Sequence, residues 1–438
     1  METIFAPATP RGRGGVAVIR ISGTEASRAL AVLSGRGAGV ARVAELRTLR
    51  DPESQEVLDQ ALVLSFVAPH SFTGEDIVEL HLHGGLAVVD SVVEGLGKIA
   101  GLRFAEPGEF SRRAVENGKF DLSAAEGIAD LIEAETSAQQ AQALRQMSGS
   151  FGALCDGWRD QLVRSLAYVE AEIDFADEDL PDDLAASVLP GLESLTVDIS
   201  RFLADKRGER IRDGIFVAVV GPPNAGKSSL VNVLARRDAV IVSEEAGTTR
   251  DVVEVRLKMG ALPVTICDTA GLRDGAGTVE KEGIRRALKT AEEADLRVWL
   301  QSADDMQADP FSGAAPQDLK VINKVDLAPQ SPSEGDVFSL SVETGAGLVD
   351  FEVALSERVE VLFGRTEEPL ITRARHRREL EACVSALEGA VSLLRVGGET
   401  ALIAEELRHA ARSVGRITGR VDVEELLDVV FRDFCIGK

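Results

Sequence analysis

A multidomain α/β and α chain is predicted: an N-terminal α+β domain, then a helical domain into which a doubly wound, mostly parallel α/β domain is inserted. Three observations predict it. Strand-like runs at 16–21, 61–66 and 77–82 alternate with glycine-rich turns in the first 118 residues. Apolar residues recur at helical spacing on both sides of the central segment. Before it stand Phe151, Leu154, Cys155, Trp158, Leu162, Leu166, Val169 and Ile173; after it stand Ile403, Leu407, Ala410, Val414 and Ile417. Between them, strands and helices alternate around the near-continuous apolar run at 215–220, the pattern of a central parallel strand covered on both faces.

The elements follow in order. Residues 1–118 form the α+β domain, with a helix after Gly84-Gly85 reaching Leu96. Residues 119–212 begin the helical domain, whose long helix breaks in the acidic stretch 174–183 around Pro181. Residues 213–367 form the inserted domain, and 368–438 complete the helical one. There Asp422 and Glu425, three apart, have the spacing of a capping box opening a last helix.

Composition excludes several classes. A net charge of −24 rules out coating nucleic acid by bulk attraction, so RNA contact needs a local basic patch or a basic partner. The densest basic cluster is Arg373, Arg375, His376, Arg377 and Arg378, which reads equally as an RNA-facing patch or a solvated helix start. Cys155, Cys267, Cys383 and Cys435 are far apart, which argues against a zinc site or disulfide framework and for reduced thiols in a cytoplasmic protein. The N-terminus lacks the apolar core of a signal peptide, and no run of about 18 apolar residues offers a membrane span.

The inserted domain carries three motifs in order. Gly221-Pro222-Pro223-Asn224-Ala225-Gly226-Lys227-Ser228, followed by Ser229, fits the phosphate loop G-x-x-x-x-G-K-[ST]. Its backbone amides cradle phosphates, Lys227 reaches the β and γ phosphates, and Ser228 ligates Mg²⁺. Asp268-Thr269-Ala270-Gly271 follows an apolar strand and supplies a carboxylate toward Mg²⁺ and a Gly271 amide toward the γ-phosphate. Asn323-Lys324-Val325-Asp326 follows another strand, and Asp326 accepts from the two donors that guanine offers and adenine lacks. Ser341, Val342 and Glu343 match the loop that backs the base, with Val342 where a small residue is usual. The segment Glu244-Glu245-Ala246-Gly247-Thr248-Thr249-Arg250-Asp251 reads as a nucleotide-sensing loop in which Thr249 completes the Mg²⁺ shell, or as a polar surface loop. Leu272 stands where signalling GTPases place the glutamine that orients water. Glu280 can take that role, or is a solvated surface residue, and Asn224 offers an oxygen to a monovalent cation.

With these residues in place, the chain resembles the bacterial tRNA-modification GTPases known as the MnmE or TrmE family. The resemblance rests on Ala8-Thr9-Pro10, Arg20-Ile21-Ser22-Gly23, Ser71-Phe72-Thr73-Gly74-Glu75-Asp76, His83-Gly84-Gly85, Pro107-Gly108-Glu109-Phe110, the central motifs and the terminal Phe434-Cys435-Ile436-Gly437-Lys438. It implies a GTPase that drives modification of the wobble uridine of certain tRNAs with the flavoprotein MnmG (GidA), as a heterotetramer or larger complex. It implies a homodimer built on the N-terminal domain, which binds 5-formyltetrahydrofolate or a related tetrahydrofolate through positions matched by Arg20, Glu79, Lys119 and Lys438. It further implies K⁺ at Asn224, Ser243, Glu245 and Thr248, Mg²⁺ at Ser228 and Thr249, a catalytic Glu280, and a Cys435 needed for modification. A regulatory or ribosome-assembly GTPase, and a folate-dependent transferase with a merely regulatory G domain, are the other readings. The first leaves the Cys435 tail unexplained.

Overall fold

The computed structural model describes residues 2–174, 185–238, 254–268, 289–305, 311, 313–328, 337–364, 371–421, 427, 430–431, 434 and 437. Two compact units emerge: Met1–Ala129 with Met147–Ala171 and Ala404–Lys438, and Asp130–Gln146 with Glu172–Ile403.

In the first unit the chain runs β1 (Thr3–Pro7), β2 (Ala17–Ser22), α1 (Ala26–Ser34), β3 (Glu45–Arg50), β4 (Val57–Phe66), β5 (Ile77–Leu82), α2 (Leu86–Gly97), β6 (Leu102–Phe104) and α3 (Glu109–Glu116). The sheet order is β3-β4-β5-β2-β1-β6, antiparallel except for the β1–β6 pair. Strand alternation decides its two faces. Ile19, Ile21, Val78, Leu80 and Leu82 share one core with Leu30 and Leu33 of α1 and Val92 and Leu96 of α2. The intervening Arg20 and Glu79 therefore fall on the other face, where Ile4, Ala6 and Phe110 form a smaller cluster with Phe72. The strands predicted at 16–21, 61–66 and 77–82 are β2, β4 and β5, and the helix predicted after Gly85 is α2.

The helical elements begin with α4 (Leu122–Glu133), α5 (Ser137–Met147) and α6 (Ser150–Asp174). The predicted apolar stripe of α6 buries Phe151, Cys155, Trp158, Leu162 and Val169, but Ile173 is exposed, because the stripe runs off the packed face in the last turn. The predicted break at 174–183 begins where α6 ends, and the rest of that segment lies outside the described residues.

The second unit adds α7 (Leu189–Ala204), α8 (Arg207–Asp213), β7 (Ile215–Val220), α9 (Lys227–Asp238), β8 (Glu254–Met259), β9 (Leu262–Asp268), β10 (Leu296–Ser302), β11 (Leu319–Asn323), β12 (Val337–Ser339), α10 (Leu348–Phe363) and α11 (Ala374–Arg395). Its sheet order is β12-β11-β10-β7-β9-β8. All neighbours are parallel except the β8–β9 hairpin, as the mostly parallel doubly wound prediction requires. β7 lies between β9 and β10 with Ile215, Val217 and Val219 in the core, joined there by Leu230 and Leu234 of α9 and Phe351 and Leu355 of α10. α9 and α10 therefore cover the face of β7 that carries Ile215, Val217 and Val219.

Next comes α12 (Thr400–Thr418), whose predicted stripe Ile403, Leu407, Ala410, Val414 and Ile417 is buried throughout. Within the first unit, α12 binds α6 in the opposite sense: Arg408 pairs with Glu170 and Arg420 with Asp156. The capping box predicted at Asp422 and Glu425 lies outside the described residues.

Candidate functional site

The three nucleotide motifs start at the carboxyl ends of β7, β9 and β11, the edge where a doubly wound sheet holds its ligands. The phosphate loop leaves β7 at Gly221, and Lys227 opens α9. Two glycines are sterically required. At Gly221 (φ +153°) a Cβ would stand 2.0 Å from Leu300 O, and at Gly226 (φ +97°) it would stand 2.3 Å from Asn323 Nδ2. Both missing side chains let the loop close against Leu300 of β10 and Asn323 of β11.

Cross-links join the motifs. Ser228 Oγ hydrogen-bonds Asp268 Oδ2, so the second motif meets the first through the two groups expected to serve Mg²⁺. Asn323 donates Nδ2 to Ala225 O at 2.9 Å and accepts from the Val342 amide at 3.1 Å, pinning the phosphate loop to the loop that backs the base. Lys227 is 6% exposed and its ammonium donates to Gly221 O and Pro222 O at 2.9 and 2.8 Å, holding the charge over the loop. Lys324 takes a left-handed φ of +62° and places Nζ 3.7 Å from Asp304 Oδ2, while Asp326 is exposed in the turn that follows. Ser341 shapes the base loop by accepting from the Thr344 amide at 3.2 Å. Asn224 is exposed at the loop tip with φ +62°. Burial pushes the Cys267 thiol, next to Asp268, up to about 12, so it stays protonated and is no nucleophile.

The donor set fits a divalent cation. A hydroxyl and a buried carboxylate converge beside amides suited to phosphate, and a hard cation takes such oxygens. Ser243, Glu244, Glu245, Ala246, Gly247, Thr248, Thr249, Thr269, Ala270, Gly271 and Glu280 lie outside the described residues.

The second cluster lies on the polar face of the first unit's sheet. Arg20 donates Nε and Nη2 to Glu79 Oε1 at 3.0 and 2.8 Å. Its guanidinium lies 5.2 Å from the Phe72 ring centre and 5.8 Å from that of Phe110. His81 Nε2, buried without a hydrogen-bond partner, is 3.4 Å from Glu79 Oε2. An orphaned imidazole nitrogen, an ion pair and two rings suit a flat heteroaromatic with polar edges and a carboxylate tail, which fits a folate. Lys119, exposed, donates to Pro69 O at 2.7 Å, at the start of the segment that carries Phe72.

Sequence reasoning missed what anchors that segment. Arg113, 3% exposed, binds Glu75 Oε2 at 3.0 Å and Glu109 Oε1 at 2.9 Å, and Ser22 Oγ donates to Glu75. Burial raises the Glu109 carboxyl, but bonds from Arg103, the Glu106 amide and Arg113 outweigh it and hold its pKa below the ordinary value. No local pattern pairs residues 38 positions apart, so the pairing of Arg113 with Glu75 carried no signal.

The tail reaches the same unit. Phe431 and Phe434 pack with Leu122 and Ala125, and a Cβ on Gly437 would stand 1.9 Å from Pro7 O, at the end of β1. Pro7 pairs with Ile19, next to Arg20. Cys435 and Lys438 lie outside the described residues.

The basic cluster is no open patch at three of its positions. Arg373 binds Asp130 at 2.6 Å, Arg377 binds Glu209 at 2.7 Å and the Leu203 carbonyl at 2.6 Å, and His376 is fully buried. These side chains are spent on structure, whereas Arg378 is exposed.

Two family models cover nearly the whole chain: "GTP-binding protein TrmE N-terminus" matches residues 3–119 and "MnmE helical domain" matches 122–435. The chain is 56% identical over 440 residues to the tRNA modification GTPase MnmE of Parvibaculum lavamentivorans, covering 100% of each. It is 50% identical over 445 residues to the tRNA modification GTPase MnmE of Paramagnetospirillum magneticum, again covering 100% of each. It is 47% identical over 463 residues to the mitochondrial 5-taurinomethyluridine-[tRNA] synthase subunit GTPB3 of Homo sapiens, covering 100% of this chain and 93% of the human one. Motif geometry, both domain models and full-length relatives converge on one assignment: the chain belongs to the MnmE (TrmE) family.

Proposed function

We propose that the protein hydrolyses GTP to drive modification of the wobble uridine of certain tRNAs. One observation carries the GTPase reading: Ser228 meets Asp268 while Asn323 holds Ala225, so all three motifs close on a single phosphate loop. The tRNA reading rests on the relatives that bear that activity in their names.

The residues divide the work. The loop amides and Lys227 bind the β and γ phosphates, and Asp326 selects guanine. Ser228 and Thr249 would hold Mg²⁺, and Asn224, Ser243, Glu245 and Thr248 would hold K⁺. Bound there, the two cations would neutralise charge that develops on the phosphates, the task an arginine finger performs elsewhere. Leu272 cannot orient water, and Glu280 takes that role. Arg20, Glu79, Lys119 and Lys438 would hold a tetrahydrofolate, with the Glu79 carboxylate accepting from its pterin. Cys435 serves the modification chemistry. The chain works in the cytoplasm as a homodimer joined through residues 1–118, in complex with the flavoprotein MnmG, with helical segments at 119–212 and 368–438 flanking a G domain at 213–367. Among the described residues no helix is long and apolar enough to cross a membrane.

Two experiments test this reading. Mass analysis of tRNA nucleosides from cells lacking the chain is expected to show the wobble modification lost and restored by the wild-type copy; an unchanged nucleoside profile rejects the tRNA role. Replacing Na⁺ by K⁺ is expected to raise GTP turnover by at least about tenfold, the scale of one charge-stabilising group in the transition state. Equal rates in the two salts remove Asn224 from a cation site.

A further inference from the structure

The β8–β9 hairpin is the whole chain between the predicted sensing loop at 244–251 and the Asp268 motif, apart from residues 252–253. On the sequence reading Thr249 at one flank completes the Mg²⁺ shell, and Gly271 at the other meets the γ-phosphate. The hairpin's far end, the Gly260-Ala261 turn, is held by a helix outside the nucleotide-binding sheet's own helices. The Ala138 amide of α5 donates to Ala261 O at 3.1 Å, and Ala138, 3% exposed, belongs to the same hydrophobic core as the sheet.

The first turn of α5 is built for this contact. Thr136 and Gln139 form a capping box: Thr136 Oγ1 accepts from the Gln139 amide at 3.3 Å, and Gln139 Oε1 accepts from the Thr136 amide at 3.1 Å. The Ala138 amide inside that box is one of the four that a helix leaves unpaired, and the hairpin carbonyl satisfies it. α5 also grips the approach to β7. Gln139 Nε2 donates to Arg212 O at 3.1 Å and Gln142 Nε2 to Gly208 O at 2.9 Å, both in α8.

One helix is thus bonded at once to the approach of β7, which ends in the phosphate loop, and to the turn of β8–β9, which ends in Asp268. Between these bonds lies a cleft of about 540 Å³ lined by Gln139, Gln142, Arg212, Arg256, Lys258 and Thr265. Gln142 is 6% exposed and its Oε1 has no donor, a buried acceptor free for a partner in a second arrangement.

We propose that α5 reads the nucleotide state by sensing displacement of the β8–β9 turn against the approach to β7. Losing the γ-phosphate changes what the nucleotide edge of the hairpin meets beside Asp268, and the turn shifts at its far end. The bonds of Ala138, Gln139 and Gln142 convert that shift into movement of α5, which the chain leaves at Met147. The inference rests on the GTPase reading.

The test is amide hydrogen exchange of the full-length protein loaded with GDP or with a non-hydrolysable GTP analogue, in Mg²⁺ and K⁺. The first-turn amides of 137–147 are expected to exchange about tenfold differently between the two states. Identical exchange in α5 overturns the proposal. Nucleotide affinity measured in the same samples separates that result from a failure to bind GTP, which would remove the proposal together with the reading beneath it. Ala138→Pro removes the donor; because Ala138 is the buried second residue of α5, a thermal melt checks that the first turn survives the ring. The variant is expected to keep GTP turnover within about twofold and lose about tenfold in tRNA modification with the partner flavoprotein, a split that simple destabilisation would not produce. Unaltered modification overturns the proposal. Gln142→Leu, of similar size, is measured in the same way if the proline variant fails to fold.

Discussion

Lys227→Ala is expected to lower GTP turnover by about two to three orders of magnitude, the effect of removing one preorganised charge that faces a developing phosphate charge. The geometry explains why no neighbour substitutes. The ammonium is buried and held by Gly221 O and Pro222 O, so it reaches the phosphate position from within the loop. The variant should keep its fold, because Lys227 opens α9 and alanine is a good helix former. Turnover under saturating GTP, with a thermal melt as control, checks this. A variant within threefold of wild type would show that the loop does not act on the γ-phosphate.

Asp326→Asn is expected to weaken GTP by roughly 1–3 kcal/mol, the cost of unpairing donors at a hydrogen-bonding site, which corresponds to about 5- to 150-fold in affinity. The same change should improve xanthosine triphosphate, because an amide can donate to the oxygen that replaces guanine's amino group. Asp326 is exposed and the neighbouring Asn323 is 2% exposed, so the two motif residues respond differently. Asn323 is a structural clamp between Ala225 and Val342, and its loss should damage the loop itself. The role proposed for Asp326 is specificity, without a part in holding the fold. Paired titrations with GTP and xanthosine triphosphate decide the matter, and unchanged guanine preference would take Asp326 out of the base site.

The nucleotide site was legible because its signals are local. A phosphate loop needs glycines at fixed places in one short stretch, and strands that end at one sheet edge bring the remaining motifs beside it. The Arg20–Glu79 face was legible only through family resemblance. As bare residues they read as a salt bridge, and they do form one, with Phe72 and Phe110 turning it into a platform. The basic run at 373–378 opens α11, as one of its two readings has it, but charge density along the chain says nothing of Asp130 and Glu209, which fold against it and consume Arg373 and Arg377.

Periodicity by itself determined the strands β2, β5 and β7, the long helix α6 and the apolar stripe of α12, since each follows from which residues can face a core at steps of two or of three and four. The order of the three motifs determined the chemistry that the central sheet can support. Only tertiary structure decided that Arg113 anchors Glu75, that Gly437 lies against Pro7, and that Ala138 bonds the turn between β8 and β9. The reason is physical. Those contacts join residues far apart in the chain, and their partners are chosen by packing that brings distant segments together, whereas helical and strand periods are written into every few consecutive residues.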